Sequence, residues 1–209
     1  MTQKMLKVLA MLPLVSIAAA LPAAADCALF TSLVKQAETG RGFEEVVPFR
    51  TVWGLRENRD TVPAEYALPG FDTCWVEDEI WHPDRGDYGA PRYVCRISEK
   101  TDAYGALSLD SHMAQLRVMG QLSQSVEACV QADERFKLDR KTTSGTSYIM
   151  KPELTDNRGM YQNPRAELKI SPMVGQYTLT DAPDALPADM RMPMQLDVII
   201  AGPARNLQE

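Results

Sequence analysis

Residues 74–98 read CWVEDEIWHPDRGDYGAPRYVCRIS, two β-rich runs on either side of the turn-rich segment PDRGDYG. Short runs rich in aromatic and β-branched residues around such a turn predict a β-hairpin. If Cys74 faces Cys95, the numbers of every pair of facing residues add up to 169. That register also predicts the pairs Val76 with Tyr93, Glu77 with Arg92, and Trp81 with Tyr88.

This register divides the hairpin side chains between two faces, because successive residues of a strand point to opposite sides. Opposite charges then face each other, as stable sheets favour. One face suits a core and holds Cys74, Val76, Ile80, Tyr93, Cys95 and Ile97. The other holds Trp75, Glu77, Trp81, Tyr88, Arg92 and Val94.

The second face mixes aromatic side chains with arginine, a composition typical of the anchors of protein interfaces. We therefore predict a binding surface formed by Trp75, Glu77, Trp81, Tyr88 and Arg92. The alternative is that residues 41–73 or the C-terminal strands cover this face as a second core layer. Two exposed tryptophans on one strand would be unusual without a partner.

The four cysteines predict two disulfides. Residues 27–39 have helical spacing of apolar residues, with Cys27 in the first turn, and residues 110–132 form a longer amphipathic pattern with Cys129 on its buried side. The pattern favours Cys74–Cys95 with Cys27–Cys129, and leaves Cys27–Cys74 with Cys95–Cys129 as the alternative. No C-x-x-C pair is present, which argues against a thiol oxidoreductase or a zinc ribbon.

The rest of the chain predicts mainly strands. In the last of them, apolar residues alternate with Gln195 and Asp197, which predicts one buried face. We expect one α+β domain over residues 26–209: a largely antiparallel sheet with one long amphipathic helix and a short N-terminal helix packed on it, and two disulfides. The expected strands are residues 51–53, 136–140, 147–150, 166–171, 175–180 and 192–201.

Residues 1–25 have the features of a cleavable secretory signal. Lys4 and Lys7 precede an apolar stretch, and alanines 23–25 form a small-residue cleavage site before Asp26. The stretch is interrupted by proline and is too short to remain as a membrane anchor. The alanine-rich composition is typical of Gram-negative signals, so we predict a periplasmic location, with secretion as the alternative.

The charge of the chain narrows the choice of partners. The net charge is −6, and removing a signal with two lysines and no acids makes it −8. Nucleic acids and anionic membranes select basic surfaces, so neither is an expected partner. No later stretch of the sequence is apolar enough to predict membrane insertion after cleavage. The expected partner is another envelope or exported protein.

Few residues are suited to catalysis. His82 and His112 are the only histidines, and neither lies in a recognisable catalytic motif. Ser111 precedes His112 at the start of a predicted helix, where a serine more often acts as a cap. We therefore favour a protein that is not an enzyme: an envelope accessory protein, an inhibitor or an immunity-type factor. The alternative is an exported hydrolase of envelope polymers or small esters that uses His82 or His112 with nearby carboxylates.

Two segments contain residue types that bind metals. The acidic residues between Glu77 and Asp87 suit Ca²⁺, but alternation along a strand separates them, so we expect a solvated acidic strand and turn. Met190, Met192 and Met194 suit Cu(I), which makes a Cu(I) or small-ligand carrier a second alternative. Because Met192 and Met194 continue the alternation of the last strand, they are more simply read as core residues. We predict no metal and no cofactor.

Overall fold

The computed structural model describes residues 26–39, 41–48, 59–81, 88–100, 109–142, 145–151, 164–171 and 194–206. Within these residues lie two α-helices, α1 (Cys27–Thr39) and α2 (Leu109–Ala132), and one 3₁₀ turn, Ala64–Tyr66. The strands are β1 (Asp60–Thr61), β2 (Thr73–Trp81), β3 (Tyr88–Ser98), β4 (Phe136–Thr142), β5 (Gly145–Met150), β6 (Arg165–Ser171), β7 (Gln195–Ala201) and β8 (Arg205–Asn206). The expected strands at 51–53 and 175–180 lie outside the described residues.

The strands form one antiparallel sheet in the order β1-β2-β3-β7-β6-β5-β4, and β8 pairs with the start of β3. Each neighbouring pair along this order is antiparallel. The predicted α+β class, with a long and a short helix against an antiparallel sheet, is therefore confirmed.

The hairpin has the predicted register. Cys74 faces Cys95, Glu77 faces Arg92, and all nine pairs from Thr73 to Trp81 add up to the same number. Because a shift by one residue would move every side chain to the other face of the sheet, this register fixes which residues are buried and which are available for a site.

Helix α1 begins where a local hydrogen-bonding signal sets its first turn. The Asp26 carboxylate oxygen Oδ1 accepts hydrogen bonds from the backbone N–H groups of Ala28 and Leu29, both at 3.0 Å. A side-chain acceptor at this position satisfies donors that the helix itself cannot. The cap places Cys27 at the start of α1, where it faces the end of α2.

Both disulfides follow the favoured pairing. Cys27 bonds to Cys129 across the two helices, with 5.2 Å between the Cα atoms, and Cys74 bonds to Cys95 across the hairpin. The alternative pairing is wrong. Two disulfides indicate an oxidising environment outside the cytoplasm.

The helices and the sheet share one apolar core. Helix α1 contributes Phe30, Leu33 and Val34, and α2 contributes Val126 and Val130. The sheet residues opposite them include Val76, Tyr93, Val198 and Ile200, together with both hairpin cysteines. We call this side of the sheet the helix-covered face. Among the described residues, neither helix combines the length and the apolarity needed to cross a membrane.

Strand β7 corrects one prediction. We expected one buried face, but every residue from Leu196 to Ala201 is buried, including Asp197 and Ile199 on the side away from the helices. The reason is its position in the middle of the sheet, between β3 and β6. Side chains of the neighbouring strands therefore shield both of its faces.

Candidate functional site

The predicted binding residues lie on the side of the sheet opposite the helices. Trp75, Val94 and Ile199 form a small apolar cluster there, separate from the main core. Charged residues of β2, β3 and β7 surround the cluster. We call this side the ionic face, formed by Trp75, Glu77, Arg92, Val94, Arg96, Asp197 and Ile199. The backbones of Trp81 and Tyr88 pair as predicted, but their side chains lie outside the described residues.

Trp75 is not the exposed anchor that a free binding surface would present. The residue is only 7% exposed. The Arg59 guanidinium carbon lies 5.0 Å from the centroid of its ring, and that of Arg96 lies at 5.1 Å, both within cation–π range. Arg59 belongs to residues 41–73, so the covering that we considered as the alternative occurs at this tryptophan.

Glu77 is the centre of the charged network, and the expected solvated acidic strand is wrong at this residue. Glu77 is buried, and its Oε2 accepts hydrogen bonds from the Trp75 indole Nε1 at 2.8 Å and from Arg59 Nε at 3.1 Å. Arg92 Nη2 donates to Oε1 at 2.5 Å. The carboxylate therefore holds the indole and two guanidinium groups in fixed positions.

Burial and the contacts of Glu77 shift its pKa in opposite directions. Burial by itself raises the pKa of a carboxyl, but the hydrogen bond from Trp75 and the charges of Arg92 and Arg59 outweigh it and lower the pKa below its ordinary value. The buried carboxyl is accordingly charged near neutral pH.

A second ion pair lies on the other side of Trp75. Arg96 donates from Nε and Nη2 to the two oxygens of Asp197, both at 2.7 Å, in a bidentate arrangement. Hydrogen bonding to Asp197 raises the pKa of Arg96. Arg92 also contacts Glu79 at 2.8 Å. Each arginine of the ionic face is thus paired with an acid.

Sequence reasoning missed Arg59, Arg96 and Asp197 as members of this site. Arg96 continues the two-residue alternation of Arg92 and Val94, so periodicity alone would have placed it on the same face. Asp197 contacts it across 101 residues of chain. Asp197 can be placed beside Arg96 only if β7 is known to pair with β3, and no local sequence pattern predicts that pairing.

A cavity of about 420 Å³ opens beside this network. Its polar wall contains Arg59 and Arg96, and its apolar wall contains Val62, Ala67 and Phe71. The side chain of Arg59 is 56% exposed and forms the most accessible part of the network. We call this cavity the Trp75 cleft, and it is lined by Arg59, Thr61, Val62, Ala67, Phe71, Asp72, Thr73, Cys74, Trp75 and Arg96.

A smaller cavity of about 290 Å³ lies between α2 and strands β4 and β5. The Tyr148 hydroxyl donates to Glu127 and accepts from Gln131 at 3.3 Å. Burial, together with the hydrogen bond to Glu127, raises the pKa of Tyr148. Leu138, a large apolar side chain that is 54% exposed, also lines this cavity.

His112 has an acidic partner that the sequence did not indicate. Its Nδ1 contacts Glu99 Oε1, and the backbone N–H of Met194 donates to Glu99 Oε2 at 3.2 Å. The side chain of Glu99 is 1% exposed. Helix α2 begins at Leu109, so Ser111 lies inside its first turn and not at the cap position that we expected. His82 lies outside the described residues.

Only part of the two metal-binding alternatives falls within the described part of the chain. Within it, no three side chains of His, Cys, Asp or Glu come together as a metal site requires. Met194 is buried against Met119, Leu122 and Leu196, as expected for a core residue. Met190 and Met192 lie outside the described residues.

Comparison with known proteins gives no relative to interpret this site. The chain matches no family model, no curated protein and no solved structure. The geometry of the Trp75 cleft and of the Glu99–His112 pair therefore carries the functional argument.

Proposed function

We propose that the chain is an exported, non-catalytic domain that binds another envelope or exported protein through the Trp75 cleft. Periplasmic location is part of this proposal and rests on the signal-like residues 1–25. The single observation that carries it is the cleft itself, where a rigid frame of one tryptophan and two arginines borders an apolar wall. Tryptophan and arginine dominate the energetics of protein interfaces.

The composition of the cleft argues for binding and against catalysis. Glu77 and Asp197 are neutralised by arginines, and Cys74 is held in a disulfide. The hydroxyl groups of the lining belong to Thr61 and Thr73. The carboxylate of the lining, Asp72, is engaged by Lys100 Nζ at 2.9 Å and by the backbone N–H of Ser98 at 3.1 Å. The arginine hydrogen-bond donors beside an apolar wall are suited to binding a group of another protein.

Site-specific photo-crosslinking in the producing cells tests the proposal. Thr61 is exposed, lines the cleft and faces Trp75, so we would replace it by benzoylphenylalanine. Arg117 is exposed on α2 and does not line the cleft, so its replacement by the same residue is the matched control. We expect a discrete crosslinked band from position 61 and none from position 117. No band at 61, or the same band at both positions, would reject the cleft as the contact surface.

A second candidate, an exported hydrolase, is favoured by one observation, the contact of His112 with the buried Glu99. A carboxylate at Nδ1 is the usual means of orienting a histidine base. Hydrolysis of p-nitrophenyl acetate by purified His112→Gln and His82→Gln proteins tests this candidate. Loss of a measurable activity in His112→Gln but not His82→Gln would support it, and equal rates in all three proteins would dismiss it.

A further inference from the structure

We infer that the Trp75 cleft recognises a carboxylate group of the partner, held by Arg59 and Arg96. This inference rests on the proposed function, since it names the chemistry of the group that occupies the same cleft. The group that the cleft can bind depends on which hydrogen-bond donors of the two arginines are already used.

Arg59 has its terminal donors available. Only Nε contacts Glu77, at 3.1 Å, and the guanidinium stacks on Trp75. Within the described residues its two terminal nitrogens have no hydrogen-bond partner. A guanidinium edge with several N–H groups matches the two oxygens of a carboxylate.

Arg96 supplies a further donor from the opposite side of the tryptophan. Nε and Nη2 are occupied by Asp197, which leaves Nη1 without a partner in the described part of the chain. Arg96 faces Thr73 in the sheet, whereas Arg59 contacts Glu77, so the two guanidinium groups approach Trp75 from its two sides along β2. Donors from both sides therefore border one cleft.

The arginines are held before a ligand arrives. Stacking on one ring, the bond from Arg59 to buried Glu77 and the bidentate pair with Asp197 restrict their rotation. Immobilising a long, flexible side chain at an interface costs conformational entropy, so prior restriction of the arginines favours binding.

The cleft favours a singly charged acid with an apolar stem. Val62, Ala67 and Phe71 can cover methylene groups, whereas the acids Glu77 and Asp197 already balance much of the arginine charge. Asp72 also lines the cleft and contacts Lys100 at 2.9 Å. A doubly charged phosphate would meet these acids with stronger repulsion than a carboxylate does.

Titration followed by ¹H–¹⁵N NMR tests the inference, with the Trp75 indole N–H and the arginine Nε–H signals as reporters. The probes are N-acetylglutamate α-amide for a side-chain carboxylate, N-acetylalanine for a chain terminus, and N-acetylglutamine α-amide as the neutral match. Inorganic phosphate is the competing anion. We expect saturable shifts with one or both carboxylates, and at least about fivefold weaker binding in Arg59→Gln. Arg117→Gln is the matched control and should bind as the native protein does.

Several results would overturn the inference. They are the absence of a saturable shift with either carboxylate, equal binding of the glutamine and glutamate probes, tighter binding of phosphate, or native affinity in Arg59→Gln. The stronger of the two carboxylate probes would identify the source of the group. Because the photoreactive group at position 61 captures any partner that lies in the cleft, whatever the charge of that partner, a failed titration with a positive crosslink would reject the carboxylate and retain the proposed function.

Discussion

The two faces of the sheet are formed by the same strands, but different kinds of side chain cover them. On the helix-covered face, apolar side chains and both disulfides form the core with α1 and α2. On the ionic face, arginines and acids surround only three clustered apolar residues. The difference teaches that alternation along β2, β3 and β7 separates the residues that pack against the helices from the charged network beside the Trp75 cleft. Four predictions test this separation.

The disulfide between the helices should have the largest effect. Cys27 and Cys129 are 102 residues apart, whereas Cys74 and Cys95 are 21 apart. The chain-entropy model assigns about 4–5 kcal/mol to the longer loop and about 3 kcal/mol to the shorter one. Urea unfolding should therefore show a larger loss of stability in Cys27→Ala/Cys129→Ala than in Cys74→Ala/Cys95→Ala. A larger loss in Cys74→Ala/Cys95→Ala would mean that the disulfide within the hairpin stabilises the fold more than the disulfide between the helices.

Two neighbouring residues of β7 compare the faces directly. Ile200 belongs to the core with the helices, and Ile199 belongs to the small cluster with Trp75 and Val94. We expect Ile200→Ala to cost about 3–4 kcal/mol and Ile199→Ala about 2 kcal/mol, because a smaller cluster can relax around the cavity. Denaturant unfolding measures both. Equal losses would show that the ionic face is packed as tightly as the core.

The Glu77 network should make stability depend on acid pH. Because the folded protein lowers the pKa of this carboxyl, its stabilising effect is present above the ordinary value of 4.5 and is lost as pH falls below it. Glu77→Gln should cost about 2 kcal/mol at pH 7, as expected for hydrogen bonds to a charged group, and much less near pH 3. Unfolding curves at both pH values give this difference. A loss that did not vary with pH would show that shape, and not charge, holds the network.

Arg59→Gln should have the smallest effect on stability, about 0.5 kcal/mol, because more than half of its side chain is exposed. The same substitution should remove most of the crosslinking from position 61. Thermal unfolding and crosslinking of the same preparation measure the two effects. A large fall in stability without a change in crosslinking would assign Arg59 to the fold and not to the site.

Local sequence patterns were sufficient to predict the hairpin and the helices. The disulfides could be predicted because four cysteines allow only three pairings. The spacing of apolar residues places α1 over residues 27–39, and a single assumed pair, Cys74 with Cys95, fixes the whole register. With that pair made, only one partner remains for Cys27.

The site was only partly predictable. Trp75, Glu77 and Arg92 were placed on one face, but Trp75 and Glu77 are covered by Arg59, which comes from a segment without periodicity. The contacts of Arg96 with Asp197 and of Glu99 with Met194 join residues about a hundred positions apart. Such contacts follow from the strand order, and period-two patterns cannot distinguish a central strand from one at the edge.

The central position of β7 also affects the order of assembly. The hairpin β2–β3 and the meander β4–β5–β6 touch in the sheet only through β7, which comes after both in the chain. The two parts can form separately, but the sheet cannot close before residues 195–201 are available to enter between them. A chain that has not yet reached residue 195 would therefore hold the hairpin and the meander as two separate parts, with the edges of β3 and β6 unpaired.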